Sequence, residues 1–182
     1  MENVRSFISF NIPATPAVLN AREKLRGVRG VSVPKDVHLT LRFLGDVDTK
    51  TIGKLSERMR SLEEYRSFNV TMKGLGVFPN VKDPRVVWIG AEIGEPFYEL
   101  LSELDEMLNA SSISYDKKPF KAHVTVGRVR TPSKDLTDLL NEEKATEMGS
   151  FVCSEIFLMG SELTPNGAVH SVIGSFCLAG RS

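Results

Sequence analysis

The sequence predicts an α+β fold of two pseudo-symmetric lobes, each an antiparallel-type sheet with flanking helices, with a cleft between them. Three observations carry this reading. Strand-like and helix-like stretches alternate, two strands open on the same tripeptide pattern His-x-Thr, and the order of elements around the two tripeptides repeats. With 182 residues, 41% hydrophobic and 25% charged, the chain has the composition of a globular protein and enough apolar material for a sizeable core. Disorder, collagen and coiled coil are excluded. Lys+Arg 23 against Asp+Glu 23 gives no general pull towards anionic partners, so an anionic ligand must be held by a local cluster.

The opening stretch Val4 to Ile12 reads as a buried strand stopped by Pro13. Thr15 offers a helix N-cap with Pro16 at the first helical position, and Val18, Ala21 and Leu25 recur at helical spacing up to Gly27. In Val37 to Phe43 the alternation is strict: Val37, Leu39, Leu41 and Phe43 on one face, His38, Thr40 and Arg42 on the other, with Gly45 and Asp46 as the end. Ile52, Leu55, Met59 and Leu62 form the stripe of a second helix. Phe68 to Val77 and Arg85 to Ala91 read as two strands joined by a Pro79-Asn80 and Asp83-Pro84 turn region.

The second half repeats this order. Pro96 opens a helix carrying Phe97, Leu100, Leu101, Leu104 and Leu108; a strand follows at Ala122 to Val126; Pro132 opens a helix with Leu136, Leu139 and Leu140. Phe151 to Met159 and Val169 to Leu178 close the chain as two strands around the turn Thr164-Pro-Asn-Gly167. His38 stands 30 residues before Phe68 and His123 stands 28 before Phe151 (68 − 38 and 151 − 123), which supports an internal duplication within a single bilobal domain, 1–182.

The chain has three histidines, His38, His123 and His170, and two of them carry Thr at the second position on. Residues two apart on a strand share a face, so each motif presents an imidazole beside a hydroxyl. Two groups that titrate near neutrality can act as general base and general acid on opposite sides of one reacting centre, while hydroxyls donate to its oxygens. Phosphodiester hydrolysis has those requirements. Thr40, Thr125 and a cation would meet the charge on the non-bridging oxygens, and Lys117, Lys118, Lys121, Arg128 and Arg130 crowd the second motif with Asp116 the one nearby acid. Arg128 is the cation singled out; simple alternation puts it on the face opposite His123, so Gly127 must permit a twist or bulge for it to reach the phosphate. His170, outside both motifs, reads as structural or rim-lining.

Other chemistries lack their patterns. The sequence has no Cys-x-x-Cys or His-Glu-x-x-His spacing for zinc and no phosphate-cradling G-x-x-x-x-G-K-[ST] loop. Cys153 and Cys177 are too few for a disulfide framework; they read as core packing in apolar strands and suit a reducing compartment. No apolar h-region of a signal peptide and no run near ~20 apolar residues is present, so a cytoplasmic protein is expected. Neutral charge and no obvious exposed apolar segment make a monomer the expectation.

His38-Leu-Thr-Leu and His123-Val-Thr-Val are similar to the paired signatures of the two-histidine (2H) phosphoesterase superfamily. Arg5-Ser-Phe-Ile8, His38 to Gly45, Gly74-Leu-Gly-Val-Phe-Pro79, Pro84-Arg-Val-Val-Trp88 and Ser161 to Gly167 narrow the match. Together they resemble the archaeal and bacterial RNA 2′,3′-cyclic phosphodiesterases, historically 2′-5′ RNA ligases. The resemblance covers essentially the whole chain. It implies both motifs facing a central cleft, no metal or other cofactor, and hydrolysis of RNA 2′,3′-cyclic phosphate to a 2′-phosphate end. It also implies a reverse 2′-5′ joining that needs no ATP. Its partner would be RNA bearing either of those termini, with no membrane and no obligate protein partner. By position it implies His38 and His123 as the catalytic pair, Thr40 and Thr125 on the phosphate, and Arg128 where the family commonly has an arginine. His170 stands where a tyrosine is usual. Phe43, Phe78 and Trp88 could stack a terminal base, though Phe43 and Trp88 lie in apolar strand patterns and read as core. Two alternatives stay open: the same mechanism on a 2′-5′ oligonucleotide or small cyclic nucleotide, and an RNA-end-binding module that does not turn over.

Overall fold

In a computed structural model that describes residues 2–180, nine strands and four helices build two sheets. The strands are β1 (Asn3–Asn11), β2 (Val31–Ser32), β3 (His38–Asp48), β4 (Phe68–Pro79), β5 (Pro84–Ile93), β6 (His123–Val129), β7 (Glu147–Cys153), β8 (Glu155–Thr164) and β9 (Gly167–Cys177). The helices are α1 (Pro16–Arg26), α2 (Thr49–Arg58), α3 (Pro96–Ala110) and α4 (Lys134–Glu143). One sheet has the order β3-β1-β8-β9 and the other β2-β6-β5-β4-β7, and the ladders between these strands are all antiparallel. The predicted α+β, two-lobed architecture is therefore the one observed. Among the described residues no helix is long and apolar enough to cross a membrane.

Both motif strands lie at the margin of their sheets. β3 ends the first sheet, and β6 has outside it only two-residue β2, which pairs Val129 and Arg128 and leaves the His123 end uncovered. β3 and β6 approach across the two sheets to within 8 Å between Cα atoms. Apart from β2, the sheet orders run in parallel: motif strand, then the strand preceding it (β1 or β5), then a strand from the other part of the chain (β8 or β4). Each half of the sequence thus supplies strands to both sheets.

Local signals fix the helix starts. Thr15 Oγ1 accepts from Val18 N at 3.2 Å and Asp48 Oδ1 from Thr51 N at 2.9 Å, each satisfying a donor left free in a first helical turn. In α4 that role falls to Ser133, whose hydroxyl accepts from Leu136 N at 3.2 Å, so the helix begins after Pro132 rather than at it. The second apolar stripe is α2 followed by a 3-10 turn over Met59–Glu64, which keeps Met59 and Leu62 buried.

Three expectations change. The predicted single strand Phe151 to Met159 is two: Cys153 pairs with Phe68 in one sheet, Glu155 with Cys177 in the other, and the chain crosses between them at Ser154. β3 does not stop at Gly45; that glycine, at φ 68, lies where other residues are strained, and it bends the strand on to Asp48. Cys153 is buried as expected and its thiol is pushed up to about 12 by desolvation, but Cys177 is exposed at the last position of β9.

Candidate active site

Each motif begins on a strand whose inner face anchors it. Leu39 and Val124 are fully buried, leaving His38 and Thr40, and likewise His123 and Thr125, half-buried on the outward face. The alternation then breaks at the same place in both strands. Ile8 pairs with Arg42 and Ser9 with Thr40, so Leu41 is an extra residue; Val87 pairs with Gly127 and Trp88 with Thr125, so Val126 is an extra residue. Each bulge stands three positions after its histidine and makes two consecutive residues point inward. Arg42 and Gly127 therefore face the interior, and Phe43 and Arg128 return to the face of the histidines. The bulge that Arg128 requires is present. It corrects two other expectations: Arg42 does not share the face of His38, and Phe43 is not core but 45% exposed, with the Arg5 guanidinium 4.6 Å over its ring.

The surroundings of the two imidazoles differ. His38 stacks on Phe7 (centroids 4.9 Å apart, planes at 25°) and meets His170 edge-on at 5.5 Å. Among the described residues no protein group hydrogen-bonds the His38 ring. Burial first, and His170 second, pull its pKa from 6.5 to about 4, with Asp36 opposing. His38 is consequently neutral at pH 7. Beside it lies a cavity of about 420 Å³ whose walls include Ser9, Asn11, Lys35, Asp36, Met159 and His170. His170, read from the sequence as structural or rim-lining, thus packs against the motif histidine itself, and its Nδ1 is buried without a partner. Nothing in its own neighbourhood of sequence signals this; the register of β9 on β8, where His170 pairs with Ser161, brings it there.

His123 is held by a hydrogen bond instead. Its Nδ1 lies 2.7 Å from the carbonyl oxygen of Lys121, and because a carbonyl can only accept, Nδ1 carries the hydrogen and Nε2 is left to exchange a proton. The edge of Phe78 meets the ring at 5.0 Å, and Phe78 in turn packs on Trp88 at 5.2 Å. Trp88 is half-buried opposite Thr125, its ring lying over Gly76 where any side chain would collide with it; it floors the second motif and is not part of the core. Of the cations expected here, Arg128 is exposed on the histidine side of β6 and Arg130 is exposed just beyond the end of that strand, while Lys118 pairs with Asp116 at 3.5 Å and Lys117 sits 5.7 Å over the Tyr115 ring.

Two imidazoles on neighbouring strand margins, one neutral and one with its tautomer fixed, each beside a threonine hydroxyl, can move one proton in each direction around a bound phosphodiester.

The comparisons with known proteins point to one family. The model of the LigT-like phosphoesterase family matches residues 12–88. The RNA 2′,3′-cyclic phosphodiesterase of Archaeoglobus fulgidus is 33% identical over 156 residues, covering 85% of this chain and 88% of that protein. The enzyme of the same name from Aquifex aeolicus is 33% identical over 193 aligned positions, covering 99% and 100%. Among solved structures, TT0787 of Thermus thermophilus superposes with a TM-score of 0.79 at 29% identity, covering 98% of this chain and 100% of that one. Apo LigT of E. coli gives 0.72 at 21% identity, covering 98% and 99%, and shares the fold. With two His-x-Thr strands in that fold and relatives above 30% identity along most of its length, this chain belongs to the LigT-like phosphoesterases of the two-histidine superfamily.

Proposed function

We propose that this phosphoesterase hydrolyses RNA 2′,3′-cyclic phosphate ends to 2′-phosphates, with His38 as general base, His123 as general acid and no metal. The observation that carries the reading is the unlike state of the two imidazoles: His38, neutral through burial, is ready to take a proton, and His123, with Nδ1–H on the Lys121 carbonyl, can hold one on Nε2 and give it up. The names of the Archaeoglobus and Aquifex relatives support the substrate.

In the proposed step His38 takes a proton from water as its oxygen attacks phosphorus. The P–O3′ bond breaks, and His123 Nε2 protonates the departing O3′, leaving phosphate on O2′. The Thr40 and Thr125 hydroxyls donate to the non-bridging oxygens, and Arg128 offsets their charge. A 5′-hydroxyl in place of water would give a 2′-5′ linkage by the same proton transfers, without ATP. Phe43, exposed with Arg5 across it, supplies a flat face for a terminal base. The protein acts on RNA ends as a monomer in the cytoplasm, a location that its two free thiols support.

The test incubates the protein, in excess EDTA, with a short RNA ending in a 2′,3′-cyclic phosphate and identifies the new end by phosphorus NMR. A 2′-phosphate formed by wild type and lost in His38→Ala and His123→Ala is the expected result. Wild-type turnover lost in EDTA and restored by a divalent ion would overturn metal independence, and tight binding without turnover would turn the reading into end recognition.

A further inference from the structure

The Nδ1–H of His123 depends on one carbonyl, that of Lys121, in the 111–122 segment that joins α3 to β6. That segment has no ladder of its own. What restrains it comes in part from the opposite motif. Arg42, four residues after His38 and turned inward by the Leu41 bulge, is only 9% exposed. Its Nε donates to Asp105 Oδ1 at 2.7 Å and its Nη2 to Asp105 Oδ2 at 2.8 Å, a bidentate pair on α3. Its Nη1 donates to the carbonyl of Leu41, the bulged residue, at 3.0 Å. The planar guanidinium also lies 5.4 Å from the Tyr115 ring centre and 5.8 Å from that of Phe120. Phe120 packs on Phe97 of α3 at 5.2 Å and is the residue just before Lys121.

We propose that Arg42 is a positioning residue for the second motif: from the strand of His38 it clamps α3 and the Tyr115–Phe120 stretch, so that the Lys121 carbonyl stays where it fixes the His123 tautomer. A lone lysine would supply charge without the fork that grips both Asp105 oxygens while lying over the Tyr115 and Phe120 rings. Because Arg42 and His38 share one short run of β3, the same side chain also sets the placement of the two histidines relative to each other. The inference rests on His123 acting through Nε2, and its test does not depend on the substrate being right.

Arg42→Met keeps the buried stem and removes the fork; Asp105→Asn loosens the clamp from the other side. Glu143→Gln is the control, since it weakens another partly buried ion pair, Lys24 to Glu143, between α1 and α4. The readouts are imidazole ¹⁵N NMR of His123, kcat and KM on the cyclic-phosphate RNA, and thermal unfolding. In folded Arg42→Met the His123 signal should leave the pure Nδ1–H tautomer pattern, and kcat should fall at least about tenfold with KM changed less than about threefold, since ångström-scale misplacement of a reacting group has effects of that order or larger. Glu143→Gln should lower stability and leave both His123 readouts alone. Native His123 signals and native kcat in folded Arg42→Met would overturn the proposal. If Arg42→Met does not fold, Asp105→Asn decides in the same way. If wild type does not hydrolyse the RNA, the proposed substrate fails while the His123 signal still decides the role of Arg42.

Discussion

The two motifs have the same residue pattern, the same bulge and the same strand margin, yet they present two different imidazoles. At the first, apolar packing by Phe7 and the edge of His170 dry the ring and hold His38 neutral, its pKa at about 4. At the second, a backbone carbonyl at 2.7 Å fixes which nitrogen of His123 carries hydrogen. Five positions after each histidine the contrast continues, with an exposed Phe43 on one side and an exposed Arg128 on the other. Two strands of matching pattern bring two identical groups together; their neighbours then hold the two rings in unlike states, which is what the proposed division into base and acid uses.

The largest effects should break that contrast directly. His38→Ala and His123→Ala each should lower kcat by about 10²–10⁴-fold on a cyclic-phosphate RNA. On a p-nitrophenyl phosphodiester, whose leaving group needs no proton, the His123→Ala deficit should shrink to about tenfold or less while that of His38→Ala persists; equal deficits would refute the assignment of acid and base. Next in size is stability along one strand. Leu39→Ala, at a fully buried site, should cost about 2–5 kcal/mol in denaturant unfolding, and Phe43→Ala under about 1 kcal/mol, four residues away and exposed.

His38 also gives stability a pH dependence of definite sign. Between about pH 6.5 and 4 the unfolded chain binds a proton that folded His38 excludes, so folding stability falls as pH drops through that window and no further on this group's account below it. His38→Gln should remove that component of the slope in unfolding measured from pH 4 to 7. The smallest predicted effect separates the fifth positions: Arg128→Met should raise KM by about tenfold and flatten its salt dependence, because it removes the proposed phosphate contact, whereas Phe43→Ala should raise KM with the salt dependence unchanged.

Much of this was legible beforehand, for identifiable reasons. Thr15 with Pro16, the apolar stripe of α2 and the Asn80 turn are local signals whose chemistry acts within a few residues. The Asn80 carboxamide, for example, accepts from the amides of Lys82 and Asp83 at 3.0 Å each. The motifs were legible because spacing of two on a strand fixes a shared face. The bulge of β6 was legible only as something Arg128 would need, and that of β3 not at all, since an extra residue in a ladder depends on the partner strand; period-two reading therefore sent Phe43 inward and Arg42 outward. For the same reason the crossing at Ser154, the exposure of Cys177 and the approach of His170 to His38 are properties of sheet pairing, absent from any window of sequence.

The most direct test of unlike roles is a ring-proton NMR titration of His38 in the free protein, assigned with His38→Ala. A His38 that stays neutral at pH 6 and protonates only near pH 4 is the predicted result. A midpoint at or above 6.5 would contradict it.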